Sequence, residues 1–412
     1  MPADPPPERI GKYRITGTLG QGGMGVVYRA EQTDPVRTVA LKVIKPGMDS
    51  RRVIARFKAE MQAMALMDHP CVAKIFDSGL TEDERPYFVM EYVPGLPITK
   101  HCEQHDLDLD QRLQLFMQVC DAVQHGHQKG IIHRDIKPGN VLVVVDGDSS
   151  LPKVIDFGVA KALHHALTVD SLINDDGQLI GTPEYMSPEQ AAMKDVDTRS
   201  DIYSLGVMLY ELLTGVLPFD RKSLHAAAFA EILRIVREVD PPKPSTRVSS
   251  LGAMEHPVDL LSSDLDDGDV RTSDRRPLAR RLRGDLDWIT MKALEKDPAH
   301  RYLSASELAA DIKRHLTAEP IEAAAPGVAY RMRKFVRRNK TLVAATTTIA
   351  FALLIGTGVS TWQAIRASNL SASNALARLD AERRLRIETA FRLTAQAQSV
   401  LDELPVQSLL DP

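Results

Sequence analysis

The sequence predicts an α+β fold with one membrane-spanning helix toward its C-terminus, and three observations carry that prediction. β-rich runs enclose a glycine-rich stretch, LGQGGMGVVY at 19–28, and TVALKVI at 38–44 reads as the next strand. Apolar Val53, Phe57, Met61, Met64 and Met67 then recur at helical spacing over 52–67. Far downstream, TLVAATTTIAFALLIGTGVSTWQAI (341–365) carries no charge, and a helix needs about 20 such residues to cross a hydrocarbon core.

Residues 1–12 begin MPADPPPER, which has no apolar run, so a cleavable signal peptide is not expected, and the prolines suggest a disordered lead-in. Gly20, Gly22 and Gly25 form G-x-G-x-x-G-x-V with Val27. Glycine lets a backbone approach phosphate oxygens without a Cβ clash. Dinucleotide-binding folds share the first six positions but continue into a helix. Here a strand follows, bearing Lys42 within V-A-L-K. On the 52–67 helix, Glu60 flanks the apolar stripe and is the candidate partner for Lys42.

The densest chemistry lies in IIHRDIKPGNVLVVVDGDSSLPKVIDFG, residues 131–158. His133-Arg134-Asp135, Lys137, Asn140 and Asp156-Phe157-Gly158 fit H-R-D-x-x-x-x-N followed by D-F-G. Phosphoryl transfer asks mainly for position and charge compensation. One carboxylate can hold an attacking hydroxyl, while an amide and a second carboxylate hold Mg²⁺.

With these parts in order, residues 13–316 resemble a bacterial Hanks-type serine/threonine protein kinase catalytic domain, in the layout of a membrane-anchored receptor kinase. The resemblance implies the two-lobed kinase fold, with a small β-rich N-lobe and a larger helical C-lobe. It implies ATP with Mg²⁺ or Mn²⁺ as cofactors and Ser/Thr hydroxyls of proteins as acceptors, since Lys137 matches the serine/threonine branch. Asp135, Lys137, Lys42 and Glu60 would be catalytic, and Asn140 and Asp156 would bind metal. Nucleotide would meet Leu19, Gly20, Gly22, Gly25, Val27, Ala40, Lys42, Leu142 and the hinge strand PYFVMEYV, with Met90 as gatekeeper and the backbones of Glu91 and Val93 at the adenine edge. Met64, Ile75, His133 and Phe157 would stack as a regulatory spine. GTPEYMSPEQ (181–190) resembles the P+1 loop and A-P-E motif, with Ser187 where alanine is usual. DIYSLGVMLYELLTGVLPF (201–219) resembles the buried central helix, Asp201 bonding back to the catalytic loop, and Arg301 would pair with Glu189. In similar kinases Arg134 binds a phosphorylated loop residue; here the matching places hold Asn174, Asp175 and Asp176, with Thr168 and Ser171 further upstream.

Length and composition agree. At 412 residues the chain exceeds one core. Fifty-one basic against 55 acidic residues give a net charge of −4, which suggests no nucleic-acid partner. Cys71, Cys102 and Cys120 lack C-x-x-C spacing, so packed reduced thiols are expected. Residues 240–283, rich in Pro, Ser, Asp and Arg, read as a mobile surface insertion.

Residues 317–340 read as a linker and basic juxtamembrane segment, with Arg331, Arg333, Lys334, Arg337, Arg338 and Lys340. Those bases and interfacial Trp362 orient the 341–365 span with its basic flank, and the catalytic domain, in the cytoplasm. Residues 366–412 read as a short extracytoplasmic helical stalk or tail. Ala352, Gly356 and Ser360 form a small-residue face compatible with a homodimer. The sequence thus predicts a kinase tethered to a lipid bilayer. A pseudokinase is the alternative, although Lys42, Asp135, Asn140 and Asp156 are all retained.

Overall fold

The computed structural model describes residues 7–22, 25–44, 61–147, 149–157, 183–219, 229–254, 275–323 and 327–402. By internal contacts the chain divides into two units, Met1–Lys334 and Phe335–Pro412.

The first unit opens with β1 (Arg9–Ile10), β2 (Tyr13–Gly22), β3 (Gly25–Thr33), β4 (Val36–Ile44), β5 (Ile75–Leu80) and β6 (Pro86–Glu91). They make one antiparallel sheet in the order β1-β2-β3-β4-β6-β5. The glycine-rich stretch therefore passes from strand to strand, as expected. Register then decides which side chains meet. Val27 stands opposite Lys42, and Ala40 opposite Met90. Side chains alternate faces with period two, so Val27, Ala40, Lys42 and Met90 share one face. The intervening Val39, Leu41 and Val43 turn the other way and build a small core with Tyr13, Tyr87 and Val89. Residues 61–65 are helical, with Met61 and Met64 buried as the periodicity predicts; Glu60 lies outside the described residues.

The larger lobe starts with β7 (Leu96–Pro97), α1 (Ile98–Gln104) and α2 (Leu109–Gln128). Asp108 and Gln111 cap α2 reciprocally, each side chain accepting from the other's backbone N–H. β8 (Val141–Asp146) pairs with β7 on one side and β9 (Ser149–Val154) on the other, making a second, three-stranded antiparallel sheet. A short α3 (Pro188–Ala191) precedes α4 (Thr198–Thr214), the central helix, which is buried along nearly its whole length. After α5 (Phe229–Glu238) come α6 (Pro244–Met254) and α7 (Arg275–Leu282). These two helices correct the reading of 240–283 as a structureless surface insertion. Val248, Ala279 and Leu282 are buried in the main core, and Ser245 donates its N–H and hydroxyl to Asp287 at 2.9 and 2.6 Å. Only 255–274 within that stretch lie outside the described residues.

α8 (Asp285–Ala293) and α9 (Ala305–Leu316) complete the helical lobe. The reading of 317–340 as a plain linker also needs correction. The N–H groups of Glu322 and Ala323 donate to the buried Asp311 carboxylate (2.8 and 2.9 Å), and Ile321 is buried. In α10 (Val328–Arg338), the Tyr330 hydroxyl donates to Asp285 Oδ1 at 2.9 Å, Lys334 pairs with Asp285 Oδ2, and Tyr330 meets Trp288 edge to face. Asp285 and Asp311 thus act as receptors for this segment, alongside the apolar packing of Ile321, Ala323 and Tyr330. The three cysteines are buried free thiols.

In the second unit, α11 (Lys340–Asp402) is one continuous helix. Among the described residues it is the one helix long and apolar enough to cross a membrane, and none of its apolar window is buried within the chain.

Candidate active site

The shared face of β3, β4 and β6 closes over the second sheet and leaves a cleft of about 520 Å³. Leu19, Gly20, Val27, Ala40, Met90, Glu91, Val93 and Leu142 all line it, with Gly139 and Ile155. Eight of the residues expected to meet nucleotide are therefore brought together. Gly22, Gly25 and Lys42 lie beyond the lining, and Gly25 has a different reason to be glycine. A Cβ there would stand 2.1 Å from the Val43 carbonyl oxygen, so close strand packing against β4 requires it. A Cβ on Gly20 or Gly22 would meet open space.

Directly after Ile155, which lines the cleft, the chain enters a buried ion pair. Lys42 Nζ bonds Asp156 Oδ2 at 2.5 Å, both side chains being largely buried. Its expected partner Glu60 is outside the described residues. Asp156 Oδ1 is buried and has no hydrogen-bond partner among the described residues. A buried carboxylate oxygen without a donor is costly unless a cation or water serves it.

On the opposite side the chain runs through Lys137 into a 3₁₀ turn at Pro138–Asn140 and then β8. That turn folds Asn140 back, so its Nδ2 donates to the Asp135 carbonyl (2.7 Å) and to Asp135 Oδ2 (3.0 Å). Lys137 Nζ lies 2.8 Å from Asp135 Oδ2. One partly buried carboxylate is thus held by an ammonium and an amide.

Beneath this loop sits Asp201. It accepts from the N–H groups of His133 and Arg134, both at 2.8 Å, and pairs with His127 Nε2 at 2.7 Å. Complete burial would raise its carboxyl, but the His127 hydrogen bond and the surrounding positive charge outweigh that and hold it below its usual range. The Glu189–Arg301 pair is also present, with Ser200 donating to the same carboxylate. Burial would raise Glu189, and the bonds from Arg301 and Ser200 hold it down instead. His133 stacks on Phe157 at 4.7 Å, and Met64 and Phe157 lie in one core with Ile75 packed against it. Thr168, Ser171, Asn174, Asp175 and Asp176 lie outside the described residues.

Two contacts had no place in the sequence reading. His127 joins Asp201, and no local pattern marks it. Ser187 and Gln190 form a reciprocal cap on α3, for which the S-x-x-Q spacing was a readable signal.

The fold and these groups define a protein kinase catalytic domain. The chain belongs to the protein kinase domain family, which it matches over residues 13–311. It is 35% identical over 318 residues to the serine/threonine-protein kinase PknB of Mycobacterium tuberculosis, covering 76% of this chain and 44% of PknB. It is 38% identical over 253 residues to the serine/threonine-protein kinase Pkn1 of Myxococcus xanthus, covering 61% of this chain and 35% of Pkn1. This chain therefore spans less than half the length of either relative. The crystal structure of the Mycobacterium tuberculosis PknI kinase domain superposes with a TM-score of 0.51 at 25% identity, over 74% of this chain and 97% of that one.

Proposed function

We propose that this chain is a membrane-tethered serine/threonine protein kinase, transferring the γ-phosphate of ATP to hydroxyls of protein substrates. One observation carries the reading: Asn140, which with Lys137 holds Asp135, also accepts at its carbonyl from the Ile155 N–H (2.9 Å), immediately before Asp156 of the buried Lys42–Asp156 pair. In this reading Asp135 orients the acceptor hydroxyl and takes its proton, and Lys137 offsets the charge of the phosphate being moved. Lys42 holds the α- and β-phosphates, and Glu60 is its proposed partner on the helical side. The walls of Leu19, Val27, Ala40 and Leu142 exclude water around the purine. The Glu91 N–H is taken by the Lys74 carbonyl (2.8 Å), so its contribution to the adenine edge comes from its carbonyl, while Val93 offers its backbone.

The residues fit a divalent ion. Asp156 brings a buried oxygen that has no partner among the described residues and Asn140 an amide oxygen, and Mg²⁺ is commonly bound by one or two such groups together with substrate phosphates. Hard oxygen donors accept Mn²⁺ as well. Held by Asp156 and Asn140, such an ion would offset the negative charge of the phosphates.

The pseudokinase alternative has no support, since Lys42, Asp135, Asn140 and Asp156 are all in place and the relatives are named serine/threonine kinases. The span at 341–365 with its basic flank supports a single pass, with the catalytic domain in the cytoplasm. The face of Ala352, Gly356 and Ser360 supports association of two copies.

The test uses the full chain in detergent, ATP, Mg²⁺ and a generic basic protein. Asp135→Asn is expected to lower kcat by about 10²–10⁴-fold while nucleotide still binds. Undiminished transfer by that variant would refute the assignment. Release of the chain from membranes by high salt alone would refute the span.

A further inference from the structure

Arg134 lies in the left-handed region, with φ of 69°, immediately before Asp135. A residue with a side chain holds that conformation only where its surroundings impose it. Here four hydrogen bonds do so. Asp201 takes the N–H groups of His133 and Arg134, Gln190 Nε2 donates to the Arg134 carbonyl at 2.8 Å, and the Asp135 N–H donates to His133 Nδ1 at 3.3 Å. The last two bonds belong to one peptide unit. The Arg134 carbonyl and the Asp135 N–H are opposite edges of the same rigid plane. Gln190 therefore fixes one edge of the plane from which the Asp135 side chain departs.

Gln190 is itself held. Its Oε1 accepts from the Ser187 N–H at 3.0 Å, which settles which end of the carboxamide points at Arg134. Its own N–H donates to Ser187 Oγ at 3.3 Å, and its neighbour Glu189 is locked to Arg301. The serine that replaces the usual alanine is the residue that can close this cap. Alanine has no hydroxyl to accept from Gln190.

We propose that Gln190 is a positioning residue for Asp135, joining the cap at Ser187 to the catalytic loop through a single carboxamide. Order at the start of α3 is thereby passed to the base without any charged contact. This rests on the reading of Asp135 given above.

The deciding variant is Gln190→Glu. A glutamate still accepts from the Ser187 N–H, as capping boxes commonly show, but has no N–H for the Arg134 carbonyl. In the full chain, kcat toward a basic protein should fall about tenfold, with the KM for ATP and the melting temperature close to wild type. Gln190→Met, which loses both bonds, should match that loss of kcat and also melt lower. Amide exchange at residues 133–136 should quicken about tenfold in both variants. If Gln190→Glu keeps wild-type kcat and wild-type exchange, the positioning role is wrong. An inactive wild type would refute the kinase reading instead, and the exchange rates would still decide the contact.

Discussion

Arg301 closes on Glu189 as a two-pronged fork, Nη1 to Oε1 at 2.7 Å and Nη2 to Oε2 at 2.8 Å, with both groups buried. Arg301 also donates to the carbonyls of Arg199, Glu295 and Lys296, so one guanidinium ties two chain segments to α3. Arg301→Met leaves a buried carboxylate without its partner and should destabilise the domain by about 3–5 kcal/mol. Arg301→Lys keeps the charge but cannot reproduce the fork, and should recover only part of the loss. Thermal unfolding of the detergent-solubilised chain reads both.

Asp285 gives a pH-dependent prediction. Burial would raise its carboxyl, but hydrogen bonds from His315, Lys334 and Tyr330 outweigh that and lower it to about 2 from an ordinary 3.8. A depressed folded value means the stabilisation is complete above about pH 4 and is lost as pH falls through about 2. The shift corresponds to about 2 kcal/mol at neutral pH. Asp285→Asn should therefore melt lower at pH 7, and the gap to wild type should narrow steadily below pH 4. A gap independent of pH down to acid unfolding would contradict the assignment.

Gly206 marks where α4 meets α8. A Cβ on it would stand 2.8 Å from Ala293 Cβ and 3.2 Å from that residue's backbone carbon. Gly206→Ala should cost about 1–3 kcal/mol by forcing the two helices apart. Adding Ala293→Gly should restore part of it, and denaturant unfolding of the single and double variants measures the recovery.

The metal assignment separates from nucleotide binding. ADP should bind wild type and Asp156→Asn with similar affinity in excess chelator. Adding Mg²⁺ should tighten ADP on wild type and do little on the variant. Calorimetry with and without metal checks this, and an equal gain in both proteins would remove Asp156 from the metal site.

Local motifs made the glycine-rich stretch, Lys42 and the Asp135-to-Asn140 run legible. The cleft walls such as Ala40 came from the family resemblance, because an apolar strand residue reads as ordinary core by pattern alone. Glu189–Arg301 and Asp201 came from the family resemblance, because partners 112 and 68 residues apart leave no local trace. The helices at 244–254 and 275–282 were missed for a related reason. Each is short and polar, and its order comes from α8 through Ser245–Asp287 and from the core beneath Val248 and Leu282. Docking of 319–334 was hidden likewise, since Asp285 stands in a charged run, RRLRGDLDW, and only the fold shows that its carboxylate faces Tyr330 and Lys334.

If 341–365 lie in a bilayer, as proposed, that docking would limit the reach of the domain. Only residues 335–339 separate Lys334, fastened to the catalytic domain, from Lys340 at the foot of the apolar helix. Six steps of chain measure about 9 Å as helix and about 20 Å fully drawn out. With 341–365 in a bilayer, as proposed, the domain has a short leash where a loose linker would have let it roam. Substrates would then be chosen partly by address: proteins held at the same membrane surface meet the cleft at high effective concentration, and freely diffusing ones do not.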